Sequence, residues 1–452
     1  MNSLNKEILR LAIPSILANI TVPLVGMVDL AIAGHLHSGS GAAAFIGGIS
    51  IGALMLNLLY WNFFFLRAST GGLTAQAYGR ARLAGPVVEG PTECAEILGR
   101  GLCITLGFAF LILVLQWPYS RLALLVVDGT PEVIELALKY FFIRIWAAPA
   151  TMSLMAFRGW FVGMQDSASS MWVDLIVNCV NIVASLILSL GIGGWDGLGF
   201  AGIPLGTVIA QYCGLTYSLV RCATKYRSEF KGFRLLHCFH RGGLRSFISL
   251  NADLFVRSLS FTGIYMGFTM IAAHYGDLML ASASIMMNLL MIFSYFTDGF
   301  AYAGQALTGR FIGEKNQDMV RRSVRGVFAW SMAVAGIWVL IYWLAGTPLL
   351  NIMTDDTAVR DACKAFLPWL IIMPPLGCAA FTWDGIYVGA TASKGIRNAM
   401  LGALASFLLV WFIGKAILNP TGPLAIHLLL AAYFAHIIFR TVYLTIKWQR
   451  VM

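Results

Sequence analysis

An aspartate in the middle of an apolar stretch is the first residue of this chain that invites chemistry. Asp29 lies within Val22-Pro-Leu-Val-Gly-Met-Val-Asp-Leu-Ala-Ile-Ala-Gly34, with no basic residue near it on the same run. A carboxylate deprived of water favours its neutral form. Asp29 is therefore suited to carry a proton or Na⁺, or, in the blander reading, to hydrogen-bond a neighbouring helix. It precedes His35, at the end of the run, by about six residues, roughly 9 Å of helix. A second polar group reads Asn178-Cys-Val-Asn181-Ile-Val-Ala-Ser185. Spacings of three and four put Asn178, Asn181 and Ser185 near one helix face. Such a stripe can supply neutral ligands to a cation or hydrogen bonds to protonated Asp29. It can equally be glue between helices, at about 0.6–2 kcal/mol per bond. Thr207, in Gly202-Ile-Pro-Leu-Gly-Thr-Val-Ile-Ala-Gln211, is a weaker member of the group. Pro14 and Pro23 each remove a backbone hydrogen bond from the stretch holding Asp29, so they mark either a moving bend or a static kink.

The elements that must hold these residues follow from composition. The chain has 452 residues, 59% hydrophobic and only 12% charged. Soluble domains average about 45–50% apolar and about 25% charged, so a soluble enzyme, a nucleic-acid binder and a disordered chain are all excluded. Apolar runs of spanning length fall at about 10–34, 44–66, 97–117, 136–163, 172–193, 200–221, 247–273, 278–305, 326–346, 364–390, 398–417 and 424–446. Runs of this length cross a bilayer as helices, because lipid offers backbone groups no partners. The expected fold is an all-α integral membrane protein with twelve transmembrane helices in two pseudo-symmetric six-helix lobes. The first run begins near Ile8 and is too long for a signal peptide.

The 31 Lys+Arg against 21 Asp+Glu look at first like a nucleic-acid surface. With the N-terminus inside, however, the basic residues cluster in cytoplasmic segments, and little beyond Arg121 and Arg360 lies outside. The charge is thus topological, with both termini cytoplasmic in a cell inner membrane. The richest basic stretch, 222–245, reads as a linker between an N-terminal lobe at 1–221 and a C-terminal lobe at 246–452. The two lobes echo each other. At an offset of 226, Pro149 faces Pro375, Gly159 faces Gly385 and Gly163 faces Gly389. At an offset of 234, Thr74–Gly79 faces Thr308–Gly313, and at 239, His35 faces His274. Order and orientation are kept, so this is a parallel repeat about an axis along the membrane normal.

The remaining charges are read more cautiously. Arg67 and Arg158 can snorkel from helix ends. Asp174, Asp253 and Arg257 are expected in structural ion pairs. Asp298 and Asp384 lie deeper in the second half; with Gln305 they either pair with arginines or line a cavity. His427 and His436 are read as packing, as are Met266, Met270, Met286, Met287 and Met291. The eight cysteines have no framework spacing and are expected reduced. There is no GxxxxGK[ST], HExxH or GxSxG pattern. ATP as an energy source, a resident metal or cofactor, and enzymatic turnover are therefore not expected.

Ordered motifs now sharpen the picture: Val28-Asp-Leu-Ala-Ile-Ala-Gly-His35, Leu59-Tyr-Trp, Phe65-Leu-Arg-Ala-Ser-Thr70, Thr74-Ala-Gln-Ala-Tyr-Gly79, Gly159-Trp-Phe-Val-Gly-Met-Gln-Asp166, Asn178-Cys-Val-Asn181, Asp298-Gly-Phe-Ala-Tyr-Ala303 and Asp384-Gly-Ile-Tyr-Val-Gly-Ala-Thr391. Over essentially its whole length the chain resembles the multidrug and toxic compound extrusion (MATE) transporters, in their DinF-like branch. The resemblance implies two six-helix lobes, a central cleft and cation-coupled export of amphipathic, often cationic, organic compounds by alternating access. It places the family's helix 1 carboxylate on Asp29, its helix 5 asparagine on Asn181 and a helix 6 threonine on Thr207. Two positions depart from the pattern: Ser185 replaces an acid found in many members, and Gln305 replaces a glutamate of this branch. With one carboxylate left, protons fit better than Na⁺, which gains from several hard oxygen ligands and extra negative charge. A flippase for lipid-linked or amphipathic metabolites is the alternative on the same plan. The partners expected are small organic molecules, H⁺ or Na⁺ and membrane lipid, with no nucleic acid and no obligate protein partner.

Overall fold

The computed structural model describes residues 3–36, 40–85, 92–124, 130–233, 238 and 241–449, with the side chains of 22–25, 40–42 and 241–243 also outside the description. Apart from an isolated bridge between Ile192 and Trp195, the regular structure of the described residues is helical. The helices are α1 (Ser3–Leu36), α2 (Ser40–Trp61), α3 (Phe65–Ala84), α4 (Glu93–Val114), α5 (Gln116–Ala123), α6 (Pro131–Arg144), α7 (Ala148–Gly163), α8 (Ser167–Leu190) and α9 (Gly202–Lys225). There follow α10 (Arg241–His274), α11 (Asp277–Gly313), α12 (Gln317–Met353), α13 (Thr357–Gly389), α14 (Ser393–Leu418) and α15 (Pro423–Trp448). Most of them run a turn or more past the apolar stretch that marks them, since a helix need not end where the hydrocarbon does.

Eleven segments of the described residues are long and apolar enough to cross a membrane, α2 and α3 counting as one. The twelfth span is the run at 136–163. The sequence pattern makes this run one helix, but it is cut into α6 and α7 by a 3₁₀ turn at Ile145–Ala147. Pro149 in the first turn of α7 has no N–H to give the Ile145 carbonyl, so the ladder is interrupted there. The run at 44–66 also differs from expectation. It ends at Trp61, turns through 62–64 and continues as α3 to Ala84. At that turn Asn62 Nδ2 donates to the Leu58 carbonyl at 2.8 Å, and the Phe63 and Phe64 amides bond three residues back. The side chain thus competes for a carbonyl that the helix would otherwise use. Arg67, expected to snorkel from a helix end, instead lies buried in the first turn of α3.

The chain forms two compact units, one of Leu17–Phe247, the other of Met1–Ile16 with Ile248–Met452. The boundaries fall inside α1 and α10. In the first unit α3 packs along α7. A Cβ on Gly159 would stand 2.1 Å from the Arg67 carbonyl oxygen, and one on Gly163 2.7 Å from that of Gly71. In the second unit α11 packs along α13, and the same construction on Gly385 and Gly389 meets the Ala301 and Gln305 carbonyls at 2.0 and 2.3 Å. The glycine pairs that match at an offset of 226 thus make the same close helix contact in both units, the small-residue packing usual between membrane helices. Around them the first unit buries Phe157, Trp160, Phe161, Val173 and Phe247, and the second Phe268, Phe293, Phe366, Phe407 and Tyr433.

Part of the basic 222–245 stretch docks on the first unit. Tyr226 meets Trp160 edge-on and Phe230 meets it tilted, with centroids 4.9 and 5.9 Å away. The Thr92 amide donates to the Glu229 carbonyl at 3.1 Å. Lys225 Nζ, Ser169 Oγ and Tyr226 Oη all donate to Asp166 Oδ2, at 2.5, 2.6 and 2.7 Å. Burial alone would raise the Asp166 pKa, but these three partners outweigh it and hold the carboxyl below its ordinary value.

Candidate functional site

The first unit assembles its polar interior at glycine-mediated contacts. On α9, a Cβ at Gly206 would collide with Ser185 and one at Gly202 with the Leu188 backbone, so α8 and α9 run close together. That closeness lets Asn181 Nδ2 donate to Thr207 Oγ1 at 2.7 Å, and Ser185 Oγ to the Ile203 carbonyl at 3.2 Å. The three expected partners Asn181, Ser185 and Thr207 are therefore brought together and buried. Asn178 turns elsewhere: its Nδ2 donates to Thr21 Oγ1 on α1 at 2.6 Å. The stripe ties α8 to α9 at one end and to α1 at the other.

Asp29, on the same helix as Thr21, is only 3% exposed. Its Oδ1 is buried without a hydrogen-bond partner, and among the described residues Asp29 makes no hydrogen bond with Asn178 or Asn181. Its electrostatic neighbour is Arg144, at the end of α6. Arg144 Nη1 donates to Tyr140 Oη at 2.6 Å and lies over that ring at 5.5 Å. Tyr140 is fully buried, since α6 fits against Gly48 and Gly52 of α2, where a Cβ would meet Leu136 and Tyr140 at 2.6 Å. Tyr60, at the end of α2, adds a buried hydroxyl without a partner, within the electrostatic reach of Arg144. Asn181 Oδ1 is likewise buried and unpaired. Buried polar atoms in native proteins are nearly always satisfied. Unused atoms on Asp29, Tyr60 and Asn181 are spare capacity for a proton, water or a ligand. Arg144, Tyr140 and Tyr60 do not stand out by spacing. The signal for Arg144 is a cation inside the apolar run at 136–163.

Of the proposed bends, Pro14 lies within α1, which runs through it without a break. Pro23 belongs to the residues whose side chains are outside the description.

In the second unit the deep Asp384 pairs with arginines. Arg257 Nη2 reaches Asp384 Oδ2 at 2.6 Å, and Arg440 Nε stands 3.8 Å from Oδ1. Arg440 is 1% exposed, over the Phe381 ring and beside Met400 Sδ. Asp253 takes Arg397 at 2.6 Å and the Ser393 hydroxyl at 2.6 Å, and Arg158 pairs with Asp174 at 2.7 Å in the first unit. Asp298 is half-buried on α11, and Gln305 is buried where α13 crosses it. His436 packs on Tyr433, and His427 accepts from Trp369 Nε1 at 3.0 Å. Met286 and Met287 lie in the core, whereas Met270 is 69% exposed. The eight cysteines are free. Among the described residues no cluster of His, Cys, Asp or Glu could hold a metal ion.

Twelve apolar spans, two glycine-matched units and an acid isolated in the first of them define a membrane transporter built from a repeat. The comparisons with known proteins agree. The MatE family model matches residues 14–187 and 254–414, and the chain belongs to that family. It is 33% identical over 409 residues to the DNA damage-inducible protein F of Escherichia coli (strain K12), covering 90% of this chain and 86% of that protein. It is 23% identical over 473 residues to the probable multidrug resistance protein NorM of Thermotoga maritima, covering 99% and 94%. A crystal structure of MATE in the bent conformation superposes with a TM-score of 0.85 at 15% identity, over 100% of this chain and 96% of that one. At this identity the superposition speaks for the fold alone.

Proposed function

We propose that the chain is a secondary antiporter that exports amphipathic organic compounds in exchange for protons by alternating access. The observation that carries this reading is Asp29: a carboxylate in a spanning helix, 3% exposed, with one oxygen unpaired among the described residues and the Arg144 cation in electrostatic reach. Burial favours its neutral acid and Arg144 favours its charged form. A shift in either influence between two conformations would change its proton occupancy. A proton taken up from outside and released inward through Asp29 would bias one conformational equilibrium, while substrate biases it the other way. One charge crossing about 100 mV supplies about 2.3 kcal/mol, enough to sustain roughly a 50-fold substrate gradient. The several relatives named as multidrug resistance proteins support export of organic compounds.

In this reading Asn181, Thr207 and Asn178 hold α8 in place around the Asp29 helix, both termini are cytoplasmic and the protein resides in the inner membrane. Protons are preferred to Na⁺ because Ser185 and Asn181 offer only neutral oxygens. The test is dye efflux from vesicles under separately imposed proton and sodium gradients, for the wild type and Asp29→Asn. The expected result is efflux driven by the proton gradient and lost in the variant. Proton-driven efflux at the wild-type rate by Asp29→Asn would overturn the role of Asp29, and efflux driven by sodium alone would overturn the choice of ion.

A further inference from the structure

Three interruptions distinguish the helices of the first unit: the turn at 62–64 between α2 and α3, Leu115 between α4 and α5, and Ile145–Ala147 between α6 and α7. All three open onto one groove of about 330 Å³, lined among others by Leu59, Phe63, Leu111, Leu115, Tyr119 and Ile145. Its two polar side chains are already spent. Tyr119 Oη donates to the Met55 carbonyl at 2.6 Å, and Gln116 Nε2 to that of Leu113 at 2.8 Å. What remains facing the groove is hydrocarbon and aromatic ring.

From this lining and its surroundings we infer that the groove holds an acyl chain of a membrane phospholipid whose phosphate meets Arg121. Three observations select this occupant. The groove lies on helices that cross the bilayer, where acyl chains are the solvent. Its rim is apolar and open, with Leu111, Leu115 and Leu122 at 48%, 46% and 62% exposed. The short α5 that closes one side also carries Trp117, 63% exposed, and an exposed Arg121. Aromatic and cationic residues together mark a helix at the headgroup level, and the cation complements a lipid phosphate. An acyl chain seated there packs against all three interruptions at once, including Ile145, the residue next to Arg144. This inference needs only that the chain resides in a membrane, so failure of proton coupling through Asp29 would leave it standing.

The test uses the full chain in vesicles of phosphatidylethanolamine and phosphatidylglycerol, with a trace of phosphatidylglycerol carrying a photoreactive diazirine midway along one acyl chain. After photolysis, labelled peptides are mapped by mass spectrometry. Label on 111–122 and 141–145 is expected to exceed, several-fold, label on the exposed face of α14 at Leu409, Phe412, Ile413 and Ile417. Leu115→Trp, which fills the groove from its open side, should remove that excess and leave α14 unchanged. Leu122→Trp serves the same purpose should the first variant fail to fold. Arg121→Gln should reduce the preference of the groove for phosphatidylglycerol over phosphatidylcholine, several-fold. Equal labelling of groove and α14 would overturn the acyl-chain site. So would displacement of the label by a cationic dye, which would make the groove a substrate pocket, or loss of the label on self-association, which would make it an interface. An unchanged lipid preference in Arg121→Gln would overturn the phosphate contact.

Discussion

The two units carry matching helices, yet among the described residues three that are whole in the second unit are cut in the first. α11 corresponds to α2 plus α3, α12 to α4 plus α5, and α13 to α6 plus α7. Proline does not explain the difference. Pro149 and Pro375 occupy matching positions, but α6 and α7 part near the first while α13 passes through the second, and through Pro368 and Pro374 as well. A proline removes one hydrogen bond and leaves the rest to tertiary packing. In α13 the turns around Pro375 are held by Leu370, Met373, Gly377 and Cys378, all buried, and the helix runs unbroken. In the first unit the equivalent turns are buried as well, at Ile145, Ala147, Ala148 and Ala150, with Ile145 also lining the apolar groove, so burial does not separate the two. The lesson is that a repeat preserves helix contacts, such as those of Gly159 and Gly385, more faithfully than helix continuity.

The charges differ in the same way. At an offset of 226, Arg158 of the first unit faces Asp384 of the second. Each is paired, with Asp174 and with Arg257 respectively, but the signs are exchanged. The second unit thus spends Asp384 on two arginines, whereas the first leaves Asp29 Oδ1 without a hydrogen-bond partner among the described residues.

Substitutions sharpen or break this comparison. The largest effect is expected at the shared glycines. Gly159→Ala and Gly385→Ala each place a Cβ about 2 Å from a carbonyl oxygen that belongs to helix backbone, with no flexible atom to yield. Each should cost several kcal/mol, roughly, and remove the monodisperse peak in size-exclusion chromatography. Tolerance in one unit alone would show that the two contacts are not equivalent. Next come the two acids. Asp384→Asn leaves the buried Arg440 and the half-buried Arg257 without their counter-charge and should cost about 3 kcal/mol in thermal unfolding. Asp29→Asn keeps the shape of a side chain whose Oδ1 has no hydrogen-bond partner among the described residues, and should cost less than about 1 kcal/mol while abolishing coupled efflux. Equal destabilisation by the two would erase the distinction between a structural and a functional acid.

The prolines are a subtler test. Pro375→Ala supplies an N–H inside an unbroken helix and should raise the unfolding midpoint by a few degrees, whereas Pro149→Ala, at the start of α7 where proline is tolerated, should change it little. The reverse order would mean that α13 is the strained member. The smallest effect belongs to Asp166. Its folded pKa lies below the ordinary 3.8, so its contribution is fully present above that value and is lost as pH falls through the lower, folded one. Wild-type stability in detergent should therefore drop more steeply below about pH 4 than that of Asp166→Asn. Identical acid limbs in the two unfolding curves would show that the Lys225–Asp166–Tyr226 contacts do not stabilise the docked 225–233 segment.

Much of this was legible beforehand, and the reasons are particular. The length of each apolar run announced its helix, and the offset of 226 announced the repeat, whereas the close approach of backbone at Gly159 and Gly385 came only with the packed helices. The pairing of Asn181 with Thr207 was also within reach, since both are isolated polar groups in apolar helices. Arg144 and Arg440 were passed over. Each is a cation inside an apolar run, and which acid it faces depends on a helix far away in the chain. The turn at Ile145–Ala147 was missed because the apolar run continues through it, and Arg144 and Pro149, which flank it, do not by themselves end a membrane helix.

What the linear order of residues determined by itself is the number of spans, their helical state and the repeat, because hydrocarbon leaves a buried backbone no other way to satisfy its hydrogen bonds. What the folded chain alone decided is which charges meet and which helices break. Those outcomes rest on contacts between segments distant in the chain, and a residue's neighbours across a helix interface are set by packing geometry, to which no local pattern has access.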